Sequence, residues 1–205
     1  PTVAASFVES QSIATTGALH CEAFVIDGTP YLAVANEYDD SKVFSWSGAS
    51  FVENQSIPTS GAIDWEAFVI DGTPYLAVAM VSQNTNSKVF RWSGASFVEF
   101  QSIPTSSAAD WEAFVIDGTP YLAVANREDK DTYGFLTWNI NSKVFSWNGA
   151  SFVEFQSIPT NRSHDWEAFV IDGTPYLAVA NAKDESSNSN NVNSKVFRWS
   201  GTSFV

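Results

Sequence analysis

One string, written four times, constrains this chain more than anything else in it. EAFVIDGTPYLAVA begins at Glu22, Glu66, Glu112 and Glu167, at spacings of 44, 46 and 55. Counting the residue before it (Trp, or Cys at position 21), fourteen of fifteen positions agree in all four copies. Such identity means recent duplication or deliberate design. SKVF recurs at Ser41, Ser87, Ser142 and Ser194, and SFV at Ser6, Ser50, Ser96, Ser151 and Ser203. Between each AVA(N/M) and the next SK lie 4, 6, 15 and 12 residues, and removing these from the SFV spacings of 44, 46, 55 and 52 leaves 40 every time. All length variation therefore sits in one loop. A constant core with one elastic loop is the mark of stacked supersecondary units.

Each unit reads as four short strands. In the second they are Glu66–Ile70, Tyr75–Ala79, Lys88–Trp92 and Ser96–Ile103, rich in Val, Ile, Phe, Tyr and Trp. Asp71-Gly72-Thr73-Pro74 and Ser93-Gly94-Ala95 read as tight turns, and Pro104–Ala109 as a loop of fixed length. No stretch shows a 3.6-residue period, and Gly and Pro recur too often for helix. AFVI and YLAVA are nearly continuous apolar runs, which predicts strands buried on both faces. Sheets packed face to face around an axis supply that burial. The expected fold is all-β, a β-propeller of four-stranded antiparallel blades, with a solenoid of stacked sheets as the alternative. The alanines of YLAVA suit a crowded position where blades converge. Repeats are placed at about 14–57, 58–103, 104–158 and 159–205, forming one domain over 1–205.

Composition excludes several functions. With 10 Lys and Arg against 23 Asp and Glu, the net charge is −13, which argues against nucleic acid and anionic membrane surfaces as partners. No run of 18 apolar residues is present, so no helical membrane span is expected. One cysteine, Cys21, precludes an intrachain disulfide, and 2 histidines, His20 and His164, preclude a multi-histidine metal centre. The chain begins Pro-Thr-Val without Met or an apolar leader, as a processed, trimmed or partial chain would.

The pattern D-W-E-A-F-V-I-D-G-x-P-Y-L-A-V-A-N followed by S-K-V-F-x-W-x-G-x-S-F-V resembles the epitempin repeat, also called the EAR or EPTP repeat, over essentially the whole chain. The resemblance implies a secreted or cell-surface β-propeller that binds other proteins at cell junctions and synapses and has no enzyme activity. Rings of that family usually hold seven blades, and four repeats are present here.

The ends of the chain are complementary. Ser6–Ile13 reads as a fourth strand without its first three, and the last unit stops at Ser203-Phe204-Val205. One closure is a four-bladed ring within a single chain. The other is a homodimer in which each N-terminal strand completes the partner's last blade, giving eight blades at about 45° each. Eight is the smaller departure from a seven-bladed family. A piece of a longer array is the third possibility.

Two sets of residues are candidates for function. The elastic loops and the constant connections are expected on one face of the ring, where binding would concentrate. The longest loop, 127–141, carries Asp129, Asp131, Tyr133, Phe135 and Trp138, and aromatics beside mixed charge suit recognition of a protein or a glycan. The bland alternative has these aromatics folding back over the blades. The second set is the triplet Asp64-Trp65-Glu66, Asp110-Trp111-Glu112 and Asp165-Trp166-Glu167, with His20-Cys21-Glu22 in the first unit. Symmetry places Asp64, Asp110, Asp165, Glu66, Glu112 and Glu167 near the axis, where a ring of oxygens would suit Ca²⁺ or Mg²⁺. The structural alternative has Asp capping the loop backbone, Trp filling space between blades and Glu bonding to a neighbouring blade. No nucleophile–base–orienter set is legible, so no catalytic residue is expected. Cys21 reads as a buried thiol in place of a core Trp. Asn54 and Asn161 match the glycosylation acceptor pattern, and Asn54 is expected to face outward. The loop 181–193 reads as mobile and solvated. The functional expectation is an extracellular binding module for a protein, with a repeat lectin or a ligand-free scaffold as alternatives.

Overall fold

A computed structural model describes residues 6–82, 85–130, 133–185 and 188–205. Each repeat folds as one antiparallel sheet with its strands in chain order. Blade 1 is β1 (Ala18–Ile26), β2 (Thr29–Asn36), β3 (Ser41–Trp46) and β4 (Phe51–Ile57). Blade 2 is β5 (Ala62–Ile70), β6 (Thr73–Met80), β7 (Ser87–Trp92) and β8 (Phe97–Ile103). Blade 3 is β9 (Ala108–Ile116), β10 (Thr119–Asn126), β13 (Asn141–Trp147) and β14 (Phe152–Pro159), with a small hairpin, β11 (Asp129–Lys130) and β12 (Leu136–Thr137), in its elastic loop. Blade 4 has β15 (Ser163–Ile171), β16 (Thr174–Asn181) and β17 (Lys195–Arg198), and Phe204-Val205 begins a fourth strand against Arg198-Trp199.

Local chemistry sets these boundaries. Asp71 and Gly72 both take positive φ, 48° and 76°, as the two central residues of a type I′ hairpin turn must. The same Asp-Gly pair turns the first hairpin of every blade. The first strand begins four residues earlier than the sequence suggests, at Ala62 in blade 2, so the Asp-Trp-Glu triplet lies inside a strand. Asp does not cap a loop there.

The innermost strands β1, β5, β9 and β15 pack in succession, and three apolar cores fill the three gaps between blades. The gap between blades 1 and 2 shows the rule. Blade 1 contributes small or slim residues from its forward face: Ile26, Ala33, Ala35, Val43 and Ile57. Blade 2 answers with large ones from its rear face: Trp65, Leu76, Val78, Phe90 and Phe97. YLAVA is thus a strict period-2 strand in which side-chain size alternates, and both faces are apolar. The continuous run is explained, and the alanines do mark the close approach. AFVI departs from expectation: Val25, Val69, Val115 and Val170, beside the tight turn of the innermost strand, are exposed.

Hydrogen bonds tie each gap. Gln55 of β4 donates its amide to Phe97 O (2.7 Å) and accepts Phe97 N–H (2.8 Å) in blade 2. Gln101 does the same to Phe152, and Gln156 to Phe204. The N-terminal segment differs from expectation. Residues 6–13 form no strand, because no third strand of a preceding blade lies beside them to supply a ladder. Gln11 nevertheless makes the same double bond to Phe51, at 2.8 Å both ways. The segment sits where a preceding blade's fourth strand would sit.

Cys21 is exposed rather than buried, since the rear face of blade 1 has no blade behind it. The four blades form an open array, with the rear of blade 1 and the forward face of blade 4 facing solvent.

Candidate functional site

The axial carboxylates are used between blades. Asp64 accepts the Trp111 N–H at 3.0 Å and Asp110 the Trp166 N–H at 2.8 Å. Glu66 accepts the Ala113 N–H at 2.9 Å and Glu112 the Ala168 N–H at 2.8 Å. Each acid thus holds the innermost strand of the next blade. The indoles fill the gaps, and Trp111 and Trp166 donate Nε1–H to Val78 O and Val124 O, both at 3.0 Å. In blade 1, His20 stands in the Asp position, with Nδ1 at 3.3 Å from the Trp65 amide nitrogen and 3.0 Å from Asp64 Oδ1.

Burial raises these acids. Asp110 is pushed up to about 9 and Glu66 to about 8, mainly by loss of water and further by neighbouring carboxylates, against the lowering effect of the backbone bonds. Glu112 rises to about 7 and Asp64 to about 6 for the same first reason, with His20 pulling Asp64 down. Asp165 and Glu167, on the open forward face of blade 4, are exposed. Among the described residues no group of three or more His, Cys, Asp or Glu side chains converges as a metal ion would require.

The opposite end of each blade carries the elastic loops, each on a fixed base. Asn126, which closes β10, donates to Asn141 O (2.9 Å) across the mouth of the longest loop and accepts Ser106 N–H (3.0 Å) from the preceding connection. Asn36 and Asn181 clamp their own loops in the same way, at 2.8 and 3.0 Å. Beneath them Ser142 bonds to Thr160 and Ser163 at 2.9 and 2.8 Å in a buried cluster. Loop length varies among blades 1, 3 and 4, and the clamp does not. The Asn of AVAN was not singled out from sequence, although its recurrence before every loop except the second, where Met80 replaces it, was the available signal.

The long loop splits its predicted residues into two groups. Trp138 folds back, half-buried, with Lys183 Nζ 4.0 Å and the Arg162 guanidinium 5.9 Å from its ring centre. Tyr133 and Phe135 stand at the hairpin tip, 85% and 72% exposed. Asp129 accepts from Ser106 Oγ at 2.8 Å and serves the loop base. Asp131 lies outside the described residues.

The neighbouring loop of blade 4 makes contacts of its own. Glu185 accepts hydrogen bonds from Thr137 Oγ1 and from the Trp138 and Asn139 N–H groups, which hold its carboxyl below the usual range. Asn139 donates to Asp184 at 3.0 Å, and Asp184 pairs with Ser189. Glu185, an acid without a signal in the sequence, ties the described parts of the loops of blades 3 and 4 to each other. Beside the long loop lies a polar cleft of about 580 Å³ lined by Thr105, Ser106, Asn126, Asp129, Asn139 and Lys143 among others. Asn54 is exposed, and Asn161 donates to Asn139 at 2.8 Å.

The EPTP domain model matches residues 6–47, 50–93, 96–148 and 151–200. The chain belongs to the EPTP domain family. Each matched unit starts on S-F-V, so the second, third and fourth units begin in the last strand of one blade and end with the third strand of the next, tying the two covalently. Over 60 residues, 28% of the chain, it is 41% identical to the thrombospondin-type laminin G domain and EAR repeat-containing protein of Homo sapiens, and over 64 residues it is 39% identical to that of Mus musculus. Those matches span 9% of the relatives' length. Among solved structures, an α-L-arabinofuranosidase from Clostridium thermocellum aligns over 90% of this chain and 70% of its own, with a TM-score of 0.53 and 13% identity. A GH43_1 enzyme from Xanthomonas citri, complexed with xylotriose, aligns over 94% and 73%, also at 0.53 and 13%. At that identity the likeness is one of fold. No helix among the described residues is long and apolar enough to cross a membrane.

Proposed function

We propose that this EPTP propeller is an extracellular binding module rather than an enzyme, and that it engages a protein partner through the loops of blades 3 and 4. One observation carries the reading: two large aromatic tips, Tyr133 and Phe135, project from a hairpin whose base is fixed by the Asn126 clamp and the Glu185 tie. Exposed aromatics on a rigid base lose little entropy on binding and are the residue types that dominate protein interfaces. The extracellular setting is supported by relatives whose name joins EAR repeats to a thrombospondin-type laminin G domain. The solvent-exposed acids of the array and its net charge of −13 favour a partner with a basic surface.

The polar cleft beside blade 3 favours a second reading, a glycan ligand. Asp129, Asn139 and Ile140 of the long loop form one of its walls, and no other repeat has a loop of that length, which speaks against one equivalent site per repeat. The test is to immobilise the 205-residue chain against a panel of purified cell-surface ectodomains and, in parallel, a glycan array. A protein ligand lost by at least tenfold in a Tyr133→Ser/Phe135→Ser variant, with unchanged circular dichroism, supports the proposal. Glycan binding abolished by Asn139→Ala but indifferent to Tyr133 and Phe135 overturns it in favour of the cleft.

A further inference from the structure

The two open faces of the array are the two halves of an interface the chain already makes three times. At each internal gap, a Phe–Tyr pair of one blade packs on a Trp–Phe pair of the next. Phe68 meets Phe152 at 5.8 Å and Tyr75 meets Trp147 at 6.2 Å, and Phe114 meets Phe204 at 5.8 Å and Tyr121 meets Trp199 at 6.1 Å. Both halves stand preassembled at the ends. Phe169 stacks on Tyr176 at 5.5 Å in blade 4, as Phe114 does on Tyr121. Trp46 meets Phe51 at 5.2 Å in blade 1, as Trp147 meets Phe152.

The apolar sets match in the same way. The forward face of blade 4 carries Ile171, Ala178, Ala180 and Val196 where blade 1 buries Ile26, Ala33, Ala35 and Val43. Its missing fifth member corresponds to Ile57, the last residue of a fourth strand. The N-terminal segment holds that residue as Ile13, and Gln11 already binds Phe51 as Gln55 binds Phe97. Charge is complementary too. Asp165 and Glu167 occupy the positions from which Asp110 and Glu112 hold the next blade's innermost strand, and His20, at the axis of blade 1 against Trp65 and Asp64, stands where the internal gaps put a second acid.

We infer that the chain binds a second copy of itself head to tail, with the forward face of blade 4 seated on the rear face of blade 1. Glu9–Ile13 of one copy continues the fourth strand that Phe204-Val205 of the other begins, and covers Ser194–Val196. Phe7-Val8 and Phe204-Val205 are copies of one another and compete for the same ladder positions, so only one pair is seated. Asp165 accepts the Cys21 N–H and lies beside the partner's imidazole. A heterologous contact of this kind closes when the rotation per blade divides the circle, and two chains give a ring of eight blades. The contact has continuity with an interface already built, and it removes both open edges.

Light scattering after size exclusion, at physiological salt and tens of micromolar chain, tests this. The expected mass is about 45 kDa, twice the 22.4 kDa of one chain. Ile171→Asp/Val196→Asp changes residues that are exposed in the single chain, and Cys21→Glu does the same on the other face. Each variant alone is expected at the monomer mass with unchanged circular dichroism. Mixed in equimolar amounts, they retain one intact interface and are expected to pair again. The inference is overturned by a monomeric unmodified chain, by a dimer indifferent to both variants, or by a mass that climbs with concentration beyond two copies. Two copies of charge −13 repel, so dimerisation is also expected to strengthen with added salt.

Discussion

Blades 3 and 4 carry nearly the same strand sequences and bury them very differently. Val144 is 0% exposed and its equivalent Val196 is 61% exposed, and Ile116 at 5% corresponds to Ile171 at 49%. The residues did not change, and the neighbour did. In a stacked repeat a side chain's contribution is set by the blade in front of it or behind it, so identical substitutions in different repeats have unequal effects.

The sharpest break of that comparison is at the indoles. Trp111 fills the gap between blades 2 and 3 and bonds Val78 O, so Trp111→Ala is expected to cost about 3–5 kcal/mol in urea unfolding. Cys21→Ala, at the same repeat position on the open rear face of blade 1, is expected to leave the midpoint of the monomer unmoved. Equal effects at the two sites would refute neighbour-determined burial.

The leucines give a smaller contrast. Leu122 is fully buried and Leu32 only half so, and Leu122→Ala should cost about 2–5 kcal/mol with Leu32→Ala well below it. Smaller still is the staple. Gln101→Ala removes two part-buried backbone bonds to Phe152 and is expected to cost about 1–3 kcal/mol, against less for Gln11→Ala, whose two bonds to Phe51 are exposed to water.

Protonation separates the axis from the loops. Asp110, Glu66, Glu112 and Asp64 all titrate higher in the folded chain than in the unfolded one, so the folded state binds more protons between the two sets of values. Their contribution to stability is fully present below about pH 4 and declines as pH rises toward about 9. The melting temperature is expected to fall between pH 6 and pH 9, and Asp110→Asn is expected to flatten that fall. Glu185, whose carboxyl is held low by Thr137 and the Trp138 N–H, makes a contribution of the opposite sign, lost in acid. Glu185→Gln should leave the melting temperature near its parent value while speeding protease cleavage within the loops of blades 3 and 4.

Much of this was written in the sequence. Repetition at a constant 40 residues, the Asp-Gly turns and the apolar strands determined the blade, its strand order and the position of every variable loop. Those features are local and recur, so each copy corroborates the others. The long loop showed which residues to watch but not their fates. Trp138 folds onto Lys183 and Arg162, and Tyr133 and Phe135 stay at the tip, because contacts with the blade 4 loop, far along the chain, decide between those outcomes. The same holds for Glu185, an unremarkable acid in a Ser/Asn-rich stretch until Thr137 and Trp138 come within reach. At the axis, spacing fixed that acids would gather, and only the packing of adjacent innermost strands decided that they bind backbone N–H groups. Sequence specifies what a repeat can pair with. Burial and hydrogen-bond partners belong to the gap between repeats, and they exist only once two blades meet.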